Sequence, residues 1–290
     1  IKVYQNLLNG IKVITKYNDW NKMIKLIAEI GWNHMGDIDL AKEMISKATE
    51  SGADYCKFQT WSEKKLKPGP WDTDGRRDIY KKAELSDKDH VELIKYCSKK
   101  STNFLTSIFN RDDIEFLSEI CPEIIKIPSH EIYNIELISL VLEKFNKVLI
   151  STGAARWDEI IKIKQSFDTK KIIFMHCVSS YPCDPSKINL PRMEALKKLS
   201  QEIGYSGHYE GIEDSLAAIC CGAKYIEKHF TIDKNLPGRD NKFAILPDEL
   251  LALSDFRDLF NQMKIDKGLD LQDCELDTFN NYRGRWSKNE

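Results

Sequence analysis

The sequence predicts an α/β protein: a closed barrel of eight parallel strands alternating with eight helices, preceded by a β-hairpin. Two observations carry this expectation. Eight short runs rich in Ile, Val, Phe and Tyr recur at the spacing of strands joined by helices, the pattern of a parallel sheet. Between them lie segments whose apolar residues follow the helical period. Eight such units within 290 residues favour a (β/α)8 TIM barrel over an open doubly wound sheet.

Residues 1–23 place Asn9-Gly10 between two apolar stretches, a two-residue hairpin turn, and the hairpin could plug the bottom of the barrel. The barrel itself is expected over 24–265. Its first strand is 24–30 (IKLIAEI) and its first helix 38–51, followed by Gly52, which can take the left-handed backbone of a helix C-cap. After the second strand, 54–59 (DYCKFQ), comes the longest interruption, 60–85. It holds Lys64, Lys65, Lys67, Arg76 and Arg77 with two prolines and Trp71, and a barrel loop of that length reads as a lid or an interface. Ser86 and Asp87 then cap a helix over 87–100. Strands at 103–107, 123–127, 147–151, 172–177, 202–206 and 224–229 alternate with helices at 111–120, 134–145, 157–166, 188–200, 210–222 and 247–264, and Gly222 sits like Gly52 at a helix end. The polar tail, 266–290, is expected outside the barrel.

Composition narrows the function. With 43 Lys+Arg against 45 Asp+Glu the net charge is −2, which gives no electrostatic reason to expect nucleic acid or an anionic membrane as partner. No run approaches the roughly 18 apolar residues needed to cross a bilayer, and the opening residues do not read as a signal peptide. A cytoplasmic protein is expected. Eight cysteines form no CxxC pair and lie largely in apolar runs, as thiols do in a reducing compartment.

Barrel enzymes build their sites at the C-terminal ends of the strands, and polar residues gather there on nearly every strand. They are Glu29, Asn33 and His34; Lys57 and Gln59; Ser107; Lys126, Ser129 and Glu131; Ser151 and Thr152; His176, Ser179 and Tyr181; Ser206 and His208; Glu227 and His229. One such residue is ordinarily a helix cap or a solvated position, whereas eight strands together point to a polar active site. Alternation puts Lys57 with Gln59 and Glu227 with His229 on one face, and Phe58 and Lys228 on the other. His208 and His229, at equivalent depth on neighbouring strands, either offer neutral imidazoles to a divalent cation or are hydrogen-bonded barrel residues; His34 and His176 are weaker candidates. Lys57 and Lys126, with Ser107, Ser129, Ser151 and Ser206, could surround a phosphate and a carboxylate. Glu29 and Glu131 are candidate proton carriers. Neither GxxxxGK[ST] nor GxGxxG occurs, so nucleotide binding has no support.

The segments IAEIGWNHMGDIDLAKEMISKATESGADYCKFQT (27–60), IIKIPSHEIYNIELI (124–138), ISTGA (150–154), MHCVSSYP (175–182), IGYSGH (203–208) and YIEKHFTIDKNLPGRDNKFAILPDEL (225–250) together resemble the N-acetylneuraminate (sialic acid) synthases and their legionaminate and pseudaminate relatives. The resemblance implies condensation of phosphoenolpyruvate with the open-chain aldehyde of an N-acyl-hexosamine such as N-acetylmannosamine, giving a nonulosonic acid and phosphate. It also implies a homodimer and a divalent metal, Mn2+ or Mg2+, on His208 and His229. Lys57, Ser107, Lys126, Ser129, Ser151, Ser179 and Ser206 would hold phosphoenolpyruvate, and Gln59, Glu131, Tyr181 and Asp240 the sugar. Glu29, Lys57, Glu131 and Glu227 would stand at the reacting atoms.

Several positions depart from that family's pattern. Thr106-Ser107-Ile108-Phe109 replaces the usual S-T-P-F, Gly207 stands where many members have Asp, Ser179 where Asn or Thr is common, and His130 where Gly is usual. Typical members continue into a small antifreeze-like domain that contributes an arginine to the partner's site; here Asn281-Tyr282-Arg283-Gly284-Arg285-Trp286, close to the end of the 290 residues, resembles the linker into that domain, and Arg239, Arg283, Arg285 or the basic loop 64–77 could substitute. Two other readings stay open: a Schiff-base aldolase acting through Lys57 or Lys126, and a non-catalytic barrel subunit.

Overall fold

The computed structural model describes residues 24–286. The hairpin expected over 1–23 lies outside the described residues, as do the last four residues of the tail. Eight parallel strands close into a barrel in sequence order. They are β1 (Lys25–Gly31), β2 (Tyr55–Thr60), β3 (Asn103–Ile108), β4 (Ile124–Ile127), β5 (Lys147–Ser151), β6 (Ile172–Cys177), β7 (Ile203–Gly207) and β8 (Tyr225–His229). The connecting helices are α1 (Ile38–Glu50), α2 (Arg76–Ala83), α3 (Asp87–Lys99), α4 (Ile114–Ile120), α5 (Ile135–Lys144), α6 (Trp157–Ser166), α7 (Arg192–Leu196), α8 (Glu213–Cys220) and α9 (Pro247–Met263). A last helix, α10 (Leu276–Asn281), belongs to a solvent-exposed segment beyond the barrel. All eight cysteines are free thiols. No helix among the described residues is long and apolar enough to cross a membrane.

Strand alternation sorts the barrel's residues into two cores. The outward-facing Leu26, Ala28, Phe58, Ile125, Val148 and Phe174 pack under the helices in the larger one. Inside the barrel, Ile27, Leu105, Ile124, Leu149, Ile173, Met175 and Tyr225 form a separate apolar floor. Directly above that floor the residues turn polar. Register makes the polar layer level: Glu29 pairs with Lys57 and with His229, Gln59 with Ser107, Ser107 with Lys126, and Ser206 with Glu227.

Three local features differ from the expectation or sharpen it. The helix expected over 188–200 shrinks to the five residues of α7, because Asn189 takes a left-handed backbone (φ 54°) and Pro191 can only begin a helix. The interruption at 60–85 is not a bare loop; two 3-10 turns and α2 order it, and Arg77 is held between Asp72 and Glu63 while Lys65 pairs with Asp112 at 3.0 Å. Lys65, Arg76 and Arg77 are thus each paired with a carboxylate. Ser86 caps α3 as expected, its main-chain N–H donating to Asp89 at 2.9 Å.

Gly52 ends α1 with φ +88°, and a Cβ there would lie 2.1 Å from Ser254 Oγ on α9. Gly52→Ala is expected to cost about 1–2 kcal/mol for the left-handed backbone and about 1–3 kcal/mol for the overpacking. Denaturant titration of the variant would show the loss, and an unchanged midpoint would contradict it.

Candidate active site

The mouth of the barrel encloses a cavity of about 650 Å³. Its floor is a chain of buried charges. Lys57 Nζ lies 2.8 Å from Glu29 Oε2 and 3.8 Å from Glu227 Oε1, and donates to Ser107 Oγ at 2.9 Å. Lys126 Nζ lies 2.8 Å from Glu227 Oε2, while Ser206 Oγ donates to Glu227 Oε1 at 3.1 Å. Gln59 Nε2 donates to the other oxygen of Glu29. Gly31 makes room for that pair: it sits at a register shift in β1 with φ +54°, and a Cβ there would press to 3.2 Å from both Gln59 Nε2 and Glu29 Oε1.

The four charges divide unequally. Burial acts to raise the Glu227 carboxyl, but Lys126 and Lys57 outweigh it and hold the group down at about 2. At Glu29 burial prevails over Lys57, and the Glu227 charge reinforces it, so that carboxyl is raised. At Lys57, burial is overcome by Glu227 and Glu29 and the ammonium is strengthened. At Lys126 burial wins and the pKa falls despite Glu227. Of these two carboxyls Glu29 is the one readier to carry a proton, and Glu227 the counter-charge.

Beside this floor the loops after β4, β5 and β6 form a small polar cradle. A Cβ on Gly153 would lie 2.4 Å from Ser179 Oγ, 2.8 Å from Ser129 Oγ and 2.9 Å from Cys177 Sγ, so the three side chains converge on space that only glycine leaves open. Ser151 lines the same cavity.

Next to the cradle, with Cys177 Sγ 3.9 Å from His208 Nδ1, the His208 and His229 rings stand 5.5 Å apart, with Tyr181 4.1 Å from His208 and Phe243 5.1 Å from His229. His208 Nδ1 is 2.8 Å from the Val178 carbonyl, which can only accept, so Nδ1 carries a proton and Nε2 is the nitrogen left to face a ligand. Burial, and secondarily the His208 ring, lower His229 well below the ordinary range, leaving it neutral. Its Nδ1 is buried with no hydrogen-bond partner, 3.4 Å from Asp240 Oδ2. Burial and the Glu29 charge raise the Asp240 carboxyl to about 7. At His208 burial is outweighed by the Cys177 beside it and the imidazole's pKa is raised. A neutral His229 with an orphaned nitrogen, and a His208 that offers Nε2 once its second proton has left, fit a divalent cation that takes its remaining ligands from water or substrate. No group of three or more His, Cys, Asp or Glu among the described residues could enclose one unaided.

Of the residues singled out from sequence, all but one of those expected to bind phosphoenolpyruvate, sugar or metal line this cavity. Glu131 is the exception; its Oε2 accepts from Asn134 Nδ2 at 3.2 Å, and His130 takes the wall position beside Phe109, with the rings 5.2 Å apart. His176 points outward and bonds the Ile188 carbonyl at 2.7 Å, and His34 accepts from the Gly36 N–H, so neither reaches the cavity. Asn33 and Thr152 are likewise bonded to main-chain carbonyls. Arg239 and Arg76 line the mouth, whereas Arg283 and Arg285 stack on Phe279, Tyr282 and Trp286 in the tail. Trp32, Tyr80, Cys177 and Phe243 complete the walls without having been anticipated.

The chain is similar to known proteins along most of its length. Residues 44–265 match the model of the NeuB family. An N,N'-diacetyllegionaminic acid synthase of Campylobacter jejuni is 37% identical over 249 residues, 80% of this chain and 75% of that protein. One from Legionella pneumophila is 34% identical over 250 residues, 79% and 69% of the respective chains. The crystal structure of an N-acetylneuraminic acid synthetase from Leptospira borgpetersenii, in complex with citrate, superposes with a TM-score of 0.80 at 32% identity, covering 93% of this chain and 94% of that one.

Proposed function

Because this chain belongs to the NeuB family, we propose that its barrel joins phosphoenolpyruvate to the open-chain aldehyde of an N-acyl-hexosamine, giving a nonulosonic acid and phosphate. The observation that carries the reading is the level layer of two buried lysines, their counter-carboxylates and the Ser129–Ser179 cradle at one end of a closed barrel. A trianionic, carboxylate-and-phosphate substrate needs paired cationic and hydroxyl donors of that kind. In the reaction C3 of the enolpyruvate attacks the aldehyde carbon, water adds at C2, and the C2–O bond breaks as phosphate leaves.

Lys57 and Lys126 would bind the two anionic ends, with Ser107, Ser151 and Ser206 fixing their orientation. Glu29 would hold the proton that the new hydroxyl requires, and Gln59, Tyr181 and Asp240 would orient the sugar. His208 and His229 would hold Mn2+ or Mg2+, which when bound polarises the aldehyde and lowers the pKa of a coordinated water. A Schiff-base route needs a neutral amine; the carboxylates around Lys57 strengthen its ammonium, whereas burial lowers Lys126, so trapping with borohydride is the test of Lys126.

Phosphate release from phosphoenolpyruvate tests the reading. With Mn2+ and a panel containing N-acetylmannosamine, its 6-phosphate and 2,4-diacetamido sugars, one acceptor is expected to drive release that chelator abolishes. Borohydride should trap no adduct. Metal-independent release with trapping would replace this mechanism by the aldolase one.

Filling the cradle gives a second expectation. Gly153→Ala should raise the KM for phosphoenolpyruvate at least about tenfold, the loss of roughly one charge-assisted hydrogen bond, with the sugar KM unchanged. An unaltered phosphoenolpyruvate KM would remove the cradle from the site.

A further inference from the structure

Behind the two histidines, on the outer face of the barrel, lies a buried ion pair that the chemistry above does not use. Lys228 stands between Glu227 and His229 on β8 and is only 3% exposed. Strand alternation turns it away from the cavity. Its ammonium lies 3.2 Å from both carboxylate oxygens of Asp214, the second residue of α8, and donates at 2.6 Å to the main-chain carbonyl of Tyr209, the residue after His208. The Asp214 carboxylate also accepts from the Tyr205 hydroxyl at 3.0 Å and from the Ser215 N–H at 2.7 Å. One ammonium, anchored beside His229, therefore fixes the backbone on the far side of His208, and one carboxylate ties it to β7.

Gly207 adds an independent observation. It precedes His208, and a Cβ there would lie 2.2 Å from Asp214 Oδ2 and 2.5 Å from Tyr205 Cε1. The carboxylate thus occupies the space outside the strand position next to His208, which can hold no side chain while Asp214 is there. Both histidine-bearing strands bear on the same carboxylate, one through Lys228 and one through Tyr205 and Gly207.

We infer that Asp214 and Lys228 are positioning residues for the cation site: their buried pair sets the separation and ring orientation of His208 and His229. This rests on the reading that those two histidines bind a divalent cation. Groups that orient metal ligands from behind typically change metal affinity by about 10- to 100-fold when lost. A merely structural pair would instead lower stability and leave the affinity of the folded protein unchanged.

Mn2+ binding to the full chain, read by electron paramagnetic resonance of the free ion and by calorimetry, distinguishes the two. Asp214→Asn keeps the side-chain shape and removes the charge; in folded protein, checked by circular dichroism, its Mn2+ Kd is expected to rise at least tenfold, with the metal-free Kd for phosphoenolpyruvate within threefold of the parent. If Asp214→Asn does not fold, Gly207→Ala carries the test, since one methyl group must displace the carboxylate, and the same tenfold loss is expected. A Mn2+ Kd within threefold of the parent in the folded variant overturns the inference alone. A parent protein that binds no Mn2+ overturns the cation reading, and this inference with it.

Discussion

Lys126→Met is expected to lose turnover by a factor of at least about 10³ and to lower stability by about 3–5 kcal/mol. The stability loss follows from the partner left behind. Lys126 and Glu227 are both buried and stand 2.8 Å apart, and removing one member of such a pair strands an uncompensated charge in a dry interior. Lys57, at 3.8 Å from Glu227, softens the penalty without cancelling it. The loss of turnover follows from the missing ammonium, because the anionic substrate is then left with one buried cation in place of two. A second substitution separates the effects. Lys126→Met with Glu227→Gln should recover most of the stability in a denaturant titration, since neither buried charge remains, yet calorimetry should still find phosphoenolpyruvate binding weakened about 100-fold or more, the loss of one to two charge-assisted contacts. Recovery of binding together with stability would show that Lys126 serves the fold and not the substrate.

His229→Ala should have the opposite profile: turnover falls by about 10³ or more and the fold is nearly untouched. The imidazole Nδ1 has no hydrogen-bond partner to lose, and the ring borders the cavity, edge-on against Phe243 and Tyr181 and tilted against His208. The truncation therefore opens space that water can fill. In the parent protein Mn2+ at about 100 times its Kd should add roughly 2.7 kcal/mol of stability; in His229→Ala that increment should vanish, so thermal unfolding with and without Mn2+ reads the cation site apart from catalysis. Full metal-dependent turnover in the variant would end the assignment of His229 as a ligand.

The strands were legible because each is a β-branched or aromatic run bounded by polar residues, and the eight found lie within a residue of those expected. The site was legible where alternation left a visible polar-apolar rhythm, as with Lys57 and Gln59 around the outward Phe58. It was illegible in β6, where IIFMHC is buried on both faces and the run carries no rhythm. There the polar-looking His176 drew attention, although parity with Ile173 and Met175 turns Cys177 into the cavity. Trp32 and Tyr80 were hidden for another reason. Both lie outside the strands, and only closure of the barrel brings their rings to 5.1 Å. The shortened α7 reflects a local conflict in which helical periodicity continued through Asn189 and Pro191, residues whose backbone preferences break it.

Among the described residues, the apolar floor beneath the lysines closes the barrel's base and leaves its mouth open. Ile27, Leu105, Leu149 and Met175 seal its base, so protons and water reach Glu29, Lys57 and Lys126 only through the mouth. A substrate seated there acts as a stopper. The protons held beneath it are then a captive set, shared among two ammoniums and one raised carboxyl and cut off from the solvent pool. On the proposed chemistry, the proton taken up by the new hydroxyl would come from that reserve or from the water that adds at C2.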